Sequence, residues 1–368
     1  MDNTRLSTVC RLMSGWGRYR SSYYRRKPMG QYYDLIMGRG EDTFTSHFNA
    51  CWDKQLDQMP KPYTDALQLR IGNQLRPKLT CWGAAFNTSQ VDELDLSQVA
   101  VVASYVEMLH KASIIIDDMI DQDDARHGKK AFHTEFGHNN AVIFALVLLG
   151  KGLAGINEVF HRTQSSYQSV ALYSQTICRM AEGCLEELAL NPLSRYDVDH
   201  IRQIINLETI SLIKNSFLLG YWSNCGADLD LEQNMVKIGE NCGYIFQILN
   251  DLEPFSDIDK NSAYKGNRNM DMNRDRKNIV VAYIYGAASK QERQLLKDLS
   301  GDALYSLVLE LYEKYSIRDE ICNEARALEQ QTNDLITALY QSSPYTNSLD
   351  DFKIFVHEMI EICFSKLG

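Results

Sequence analysis

Proline placement constrains this chain most, because proline removes a backbone donor and breaks a helix interior. The 368 residues include seven prolines: Pro28, Pro60, Pro62, Pro77, Pro192, Pro254 and Pro344. They leave proline-free stretches at 78–191, 193–253 and 255–343, each long enough for several consecutive helices. Within them apolar residues recur near the helical period, as in Ile201, Ile204, Ile205, Ile210, Leu212, Ile213 and Phe217. Alternating apolar and polar runs of the strand kind are scarce. Turn-rich segments stand at NPLSRYD (191–197), NCGADLD (224–230), DKNSAYKGNRN (259–269) and SSPYTNSLDD (342–351). The spacing predicts an all-α fold, a single large helical bundle over 41–368, preceded at 1–40 by a basic extension whose order is left open.

Charge and cysteine usage narrow the class. A net charge of −10 argues against a nucleic-acid partner. Nine scattered cysteines with no CxxC pair fit buried thiols in a reducing compartment, so a cytoplasmic location is expected. The longest apolar run, AVIFALVLLG at 141–150, is shorter than a bilayer span and is expected to be a buried core helix rather than a transmembrane segment. The first forty residues carry eight Lys/Arg against Asp2 and Asp34, an acid-poor composition shared by organellar transit peptides. A solvated or partner-contacting extension is the preferred reading of that segment.

The chemistry starts at SIIIDDMIDQDD (113–124), where Asp117, Asp118 and Asp121 follow three isoleucines. Acidic clusters are usually solvated helix ends, but an apolar run points into a core, where an unpaired carboxylate is costly. On a helix Asp117 and Asp121 stand at i and i+4 and face the same way, where like charges repel. A cation relieves that repulsion, and hard oxygen ligands suit Mg²⁺, which binds one or two carboxylates together with substrate phosphates. A weaker cluster, FQILNDLEPFSDID (246–259), centres on Asp251. Cations for a phosphate cage are at hand in Arg126, in Lys214, and in Lys265 or Arg276. Lys214 is the informative one, since a lone lysine in an apolar helical pattern needs a partner.

Taken together, these residues resemble the trans-isoprenyl diphosphate synthases, all-helical enzymes that make farnesyl, geranylgeranyl and longer prenyl diphosphates. The resemblance covers about residues 68–290. GNQLRPKL (72–79) is similar to the family's GKxxRP, and VEMLHKASIIIDDMIDQDDARHG (106–128) to its first Asp-rich motif with an upstream His and a downstream RRG. IKNSF (213–217) stands for KT, FQILND (246–251) for FQxxDD, and DMNRDRKNIV (271–280) for DLxxGKxTLP. The resemblance implies a homodimer that binds Mg²⁺ and a prenyl diphosphate. Asp117, Asp118, Asp121, Arg126 and Lys214 would be catalytic, with Asp117, Asp121, Asn250 and Asp251 holding metal. Arg126, Lys214, Gln247, Lys265 and Arg276 would bind the allylic diphosphate. Asn73, Arg76, His110 and His127 would form a second diphosphate site, and Ala112 and Ser113 would line the chain-length pocket.

Departures from the pattern concentrate in that second site and in the second metal motif. Asn73 replaces its lysine and His127 its second arginine; at roughly 1.5–3 kcal/mol per charge-assisted hydrogen bond, losing both costs about 3–6 kcal/mol. The second metal motif reads Asn250-Asp251-Leu252-Glu253-Pro254, lacking its first and last carboxylates. Glu253 or Asp257 is a substitute ligand, and Pro254 is expected to end or kink the helix. An intact ionising site beside a damaged nucleophile site puts a terpene synthase first among the expected functions. A chain-elongating synthase of geranylgeranyl type is the alternative. Irregular coupling, or prenyl transfer to another acceptor, is a further one.

Overall fold

The computed structural model describes residues 30–38, 41–68, 72, 74–86, 88–126, 129–191, 194–224, 229–255, 276–339 and 346–364. In chain order the helices are α1 (Gln31–Met37), α2 (Phe44–Leu56), α3 (Tyr63–Gln68), α4 (Leu75–Ala85), α5 (Leu96–Ile120), α6 (Phe132–Phe136), α7 (His138–Phe160) and α8 (Ser166–Leu188). They continue as α9 (Val198–Ile205), α10 (Ser211–Asn224), α11 (Leu229–Leu252), α12 (Ile279–Ala287), α13 (Lys290–Asp298), α14 (Gly301–Lys314), α15 (Ile317–Leu339) and α16 (Thr346–Phe364). The strands among the described residues are a two-residue antiparallel hairpin, Ala125–Arg126 against Lys129–Lys130. The all-α expectation holds.

Helix α5 is the centre of the bundle, packed by α2, α4, α7 and α10. The Asp95 side chain caps it by accepting the Gln98 N–H at 3.0 Å, and its residues from Val99 to Ala112 are buried on almost every side. It stops because Gln122 takes the left-handed conformation, φ 56°, so the chain turns away directly after Asp121. The hairpin then returns Arg126 to the helix end it has just left.

Helices α4 and α10 approach each other closely in the core. A Cβ at Gly83 would lie 1.9 Å from the Phe217 carbonyl oxygen, and one at Gly220 would lie 1.8 Å from that of Thr80. Each helix thus offers a side-chain-free position to the other's backbone. Helices α9 and α10 form one rod, broken by a π-helical turn at Asn206–Ile210. Helix α11 ends at Leu252, two residues before Pro254, and passes into a 3-10 turn, as the proline predicts.

Two features differ from the sequence expectations. Helix α1, on the N-terminal side of the boundary drawn at residue 40, buries Tyr32, Tyr33 and Ile36 in the main core, and Asp351 of α16 accepts both tyrosine N–H groups. The apolar run at 141–150 belongs to the 23-residue α7, which is buried on one face only: Ala141, Phe144, Ala145 and Leu148 lie in the main core, while Val142, Ile143 and Leu146 are 44%, 61% and 56% exposed. By length and composition both α5 and α7 match a bilayer span, but α5 is the interior of the bundle. Cys81 and Cys242 are buried, Cys178 is exposed and Cys51, Cys184 and Cys322 lie between, all six as free thiols.

Candidate active site

The last turn of α5 carries Asp117, Asp118 and Asp121 at the negative end of the helix dipole, where carboxylates are unfavourable unless cations face them. Two arginines do so. Arg126 donates through Nη2 to Asp117 Oδ2 at 2.9 Å and through Nε to Asp118 Oδ1 at 2.5 Å. Arg276 donates through Nη2 to the Asp121 carbonyl at 2.8 Å, while its Nη1 lies 3.4 Å from Asp121 Oδ2. Asp118 is buried and acts as the clamp of Arg126. Asp117 and Asp121 line a cavity of about 600 Å³, together with Arg126 and Arg276. Burial, and then the neighbouring Asp117 charge, push the Asp121 carboxyl up to about 7 against the pull of Arg276.

The facing wall is built by the π turn, the end of α8 and residues 276–278. Glu208 and Thr209 project from the π turn into the cavity. Lys277 donates to Glu187 Oε2 at 2.5 Å and pairs with Glu208, while its backbone N–H donates to Glu187 Oε1 at 2.8 Å. Thr209 Oγ1 donates to Gln247 Oε1 at 2.7 Å, and Gln247 Nε2 donates to Asp251 Oδ1 at 2.7 Å. The second Asp251 oxygen accepts the Ile279 N–H at 2.8 Å, so this carboxylate also anchors the start of α12. Asn250 lines the cavity beside it.

Lys214 corrects the sequence reading. It does not line the cavity; its Nζ donates to Glu240 Oε1 at 2.7 Å on another face of the rod. Five residues of α-helix turn a side chain about 140° from Thr209. An acid and a threonine therefore stand on the wall where the resemblance set a cation. Glu208 carries the same signal that singled out Lys214, a lone charge in an apolar helical run; Lys277 stands inside the DMNRDRKNIV stretch beside the residue that was chosen there, and Glu187 and Thr209 carried no local signal.

A third group lies at the start of α4 and the middle of α5. Arg76 lines the cavity with its Cζ 5.6 Å from the centre of the Phe246 ring, and its sealed Nε makes no hydrogen bond. Among the described residues no carboxylate forms an ion pair with it. Burial pulls its guanidinium down to about 10 despite Glu107. His110 Nδ1 lies 3.2 Å from Glu107 Oε2; burial, and then the Arg76 charge, hold the imidazole near 3 and so neutral at physiological pH. Burial raises Glu107 too, but Lys111 and His110 outweigh it and keep that carboxyl near 2.

Ser113 lines the cavity, with its hydroxyl donating to the His110 carbonyl at 2.9 Å. Ala112 is fully buried in the core and does not line it, which corrects the expected pair. Asn73, His127, Lys265 and Asp257 lie outside the described residues. Among the described residues, no group of three or more His, Cys, Asp or Glu is arranged to hold a metal ion without a ligand's help.

This architecture is shared with known proteins. The polyprenyl synthetase family profile matches residues 58–314. A geranylfarnesyl diphosphate synthase of Aeropyrum pernix is 26% identical over 237 residues, 62% of this chain and 70% of that protein. A geranylgeranyl diphosphate synthase of Saccharolobus solfataricus is 24% identical, over 63% of this chain and 68% of that one. The heptaprenyl diphosphate synthase of Staphylococcus aureus shares the fold at a TM-score of 0.74 and 18% identity, covering 87% of this chain and 98% of that one. With its profile match spanning the α3–α14 body and the Asp117–Asp121 turn at its centre, the chain belongs to the polyprenyl synthetase family of class I isoprenoid synthases.

Proposed function

We propose that the chain is a Mg²⁺-dependent prenyltransferase that joins an allylic prenyl diphosphate to isopentenyl diphosphate. One observation carries the reading: the cavity that holds Asp117 and Asp121 also holds the Arg76 guanidinium, which forms no ion pair with any described carboxylate. Ionising one diphosphate needs one anion seat, whereas condensing two needs a second. A half-buried cation with no ion-pair partner among the described residues is costly unless an anion completes it. This favours elongation over the terpene synthase that the sequence alone put first, and the names of the relatives point the same way.

The donor set fits Mg²⁺. Asp117 and Asp121 offer hard oxygens one turn apart, their repulsion is the kind a divalent cation relieves, and Asn250 adds a neutral carbonyl. When bound, the metal neutralises the leaving diphosphate. Arg126 and Arg276 add fixed positive charge at the same helix end, where it needs no reorganisation as negative charge develops. Arg76 seats the second diphosphate, with neutral His110 supplying a hydrogen bond. Ile116, Leu149, Ile177 and Met180 form an apolar wall that holds the prenyl tail and keeps water from the cation.

The exposed apolar residues of α7 (Val142, Ile143, Leu146) and α8 (Tyr167, Leu185, Leu188) support a homodimer formed through these helices.

Purified protein with Mg²⁺ and geranyl, farnesyl or geranylgeranyl diphosphate, each with and without isopentenyl diphosphate, tests the reading by mass spectrometry. A longer prenyl diphosphate that requires isopentenyl diphosphate is expected. Hydrocarbon or alcohol formed without it would return the assignment to a terpene synthase.

A further inference from the structure

The apolar wall of the cavity is carried as stripes at helical spacing. On α5 the stripe is Leu109, Ser113 and Ile116; on α8 it is Ile177, Ala181 and Cys184. Leu109 and Ile177 are the lining residues farthest along their helices from the Asp117–Asp121 end. One turn beyond them each stripe reaches a tyrosine, Tyr105 on α5 and Tyr173 on α8. Both are buried. The Tyr173 hydroxyl donates to the Tyr105 carbonyl at 2.9 Å, and the Tyr105 hydroxyl accepts from Gln55 Nε2 of α2 at 3.1 Å. Helix α7 makes room for the pair with two glycines. A Cβ at Gly152 would lie 1.9 Å from the Tyr173 hydroxyl oxygen, and one at Gly155 would lie 2.2 Å from the Tyr105 ring. Glycine weakens a helix interior relative to alanine, and α7 tolerates it at both places where these side chains lie.

We infer that the Tyr105–Tyr173 pair is the floor that ends chain growth and sets product length, an inference that rests on the elongation reading above. With the diphosphate back at the Asp117–Asp121 end after each step, every added unit drives the far end of the tail toward Leu109 and Ile177. Ser113 is small and lets it pass. Tyr105 stands twelve residues before Asp117, which is about 18 Å at the helical rise. A prenyl unit adds four chain bonds, about 5 Å when extended. The tail therefore meets the pair after roughly three to four units. A further unit requires the rings to move, and a close-packed interior does not yield that volume.

The hydroxyls make this floor stiffer than an aliphatic one. Tyr173 is tied to the α5 backbone and Tyr105 to α2, so neither ring swings aside as an unbranched methionine side chain does. Beyond the pair stands Gln55, which is only half-buried. Removing a ring thus opens the cavity toward α2, the direction in which a longer tail would travel.

The experiment gives wild type, Tyr105→Ala, Tyr173→Ala and Tyr173→Phe the same farnesyl diphosphate with excess isopentenyl diphosphate and Mg²⁺, and reads product lengths by mass spectrometry. Circular dichroism checks the fold. Both alanine variants are expected to lengthen the main product by about one unit or more. Tyr173→Phe keeps the ring and should keep the wild-type length. Should an alanine variant fail to fold, Tyr173→Leu retains the apolar contact and still lowers the floor. Ile177→Phe, which raises the floor by a turn, should shorten the product. Folded alanine or leucine variants with the wild-type length distribution overturn the inference. So does a wild-type main product longer than about six units, since no such tail fits above an intact pair. Wild type unable to elongate overturns the elongation reading itself, a failure visible before any variant is made.

Discussion

At the scale of single residues, the site is a set of charges placed where each is unfavourable alone. Asp117 and Asp121 repel each other at the negative end of α5, and Arg76 forms no ion pair with any described carboxylate. Substituting Asp117→Ala is expected to reduce turnover of every allylic substrate by at least about 10²-fold; a variant keeping more than a few per cent of the wild-type rate rules the motif out as the metal site. Replacing Arg76→Ala removes a charge-assisted hydrogen bond worth roughly 1.5–3 kcal/mol, so KM for isopentenyl diphosphate should rise about 10–100-fold. Rates with the allylic partner saturating should show no comparable KM change for that partner. Glu208 gives a pH signature. Its carboxyl moves from the ordinary 4.5 up to about 7 on folding, so the fold favours its neutral form. The associated stability is fully present below 4.5 and is lost as pH rises through 7. Melting temperatures across pH 4–8, taken without metal, should therefore show wild type losing ground to Glu208→Gln as pH rises; parallel curves would contradict the shift.

At the scale of elements, two features set the geometry of the walls. The π turn at Asn206–Ile210 shifts the rod's register, which is why Glu208 and Thr209 reach the cavity while Lys214 turns to Glu240. The other feature is the glycine contact between α4 and α10, which carries Arg76's helix hard against the rod. Gly220→Ala would drive a methyl group into the Thr80 backbone, and overpacking of this kind costs on the order of 1–3 kcal/mol. Its denaturant midpoint should fall with an unchanged slope, and an unaltered midpoint would show that the helices separate freely. The Asp-rich turn was legible in the sequence because its meaning is local: residues at i and i+4 share a helix face whatever surrounds them. The identification of Lys214 rested on motif order, and a shift of six residues between Glu208 and Lys214 is invisible without the register of the rod. Ala112 and Ser113 separate for a similar reason, since adjacent helical positions diverge by about 100°.

At the scale of the whole molecule, the apolar surface of α7 and α8 is the feature a lone chain leaves unexplained. Ile143→Glu combined with Leu146→Glu should convert a dimer to monomers in light scattering with the helical content retained; the same mass for wild type and variant would refute an interface there. What the sequence determined by itself is the all-α class, the helix stop before Pro254 and the acidic turn after Ile116. Each is dictated by backbone chemistry or by spacing within a few residues. Only the tertiary structure decided which charges meet: Arg126 and Arg276 with the end of α5, Lys277 with Glu187 and Glu208, and Arg76 with none of the described carboxylates. Those pairings join residues as far apart as 121 and 276. Attraction between charges depends on distance through space, and a linear sequence does not record it.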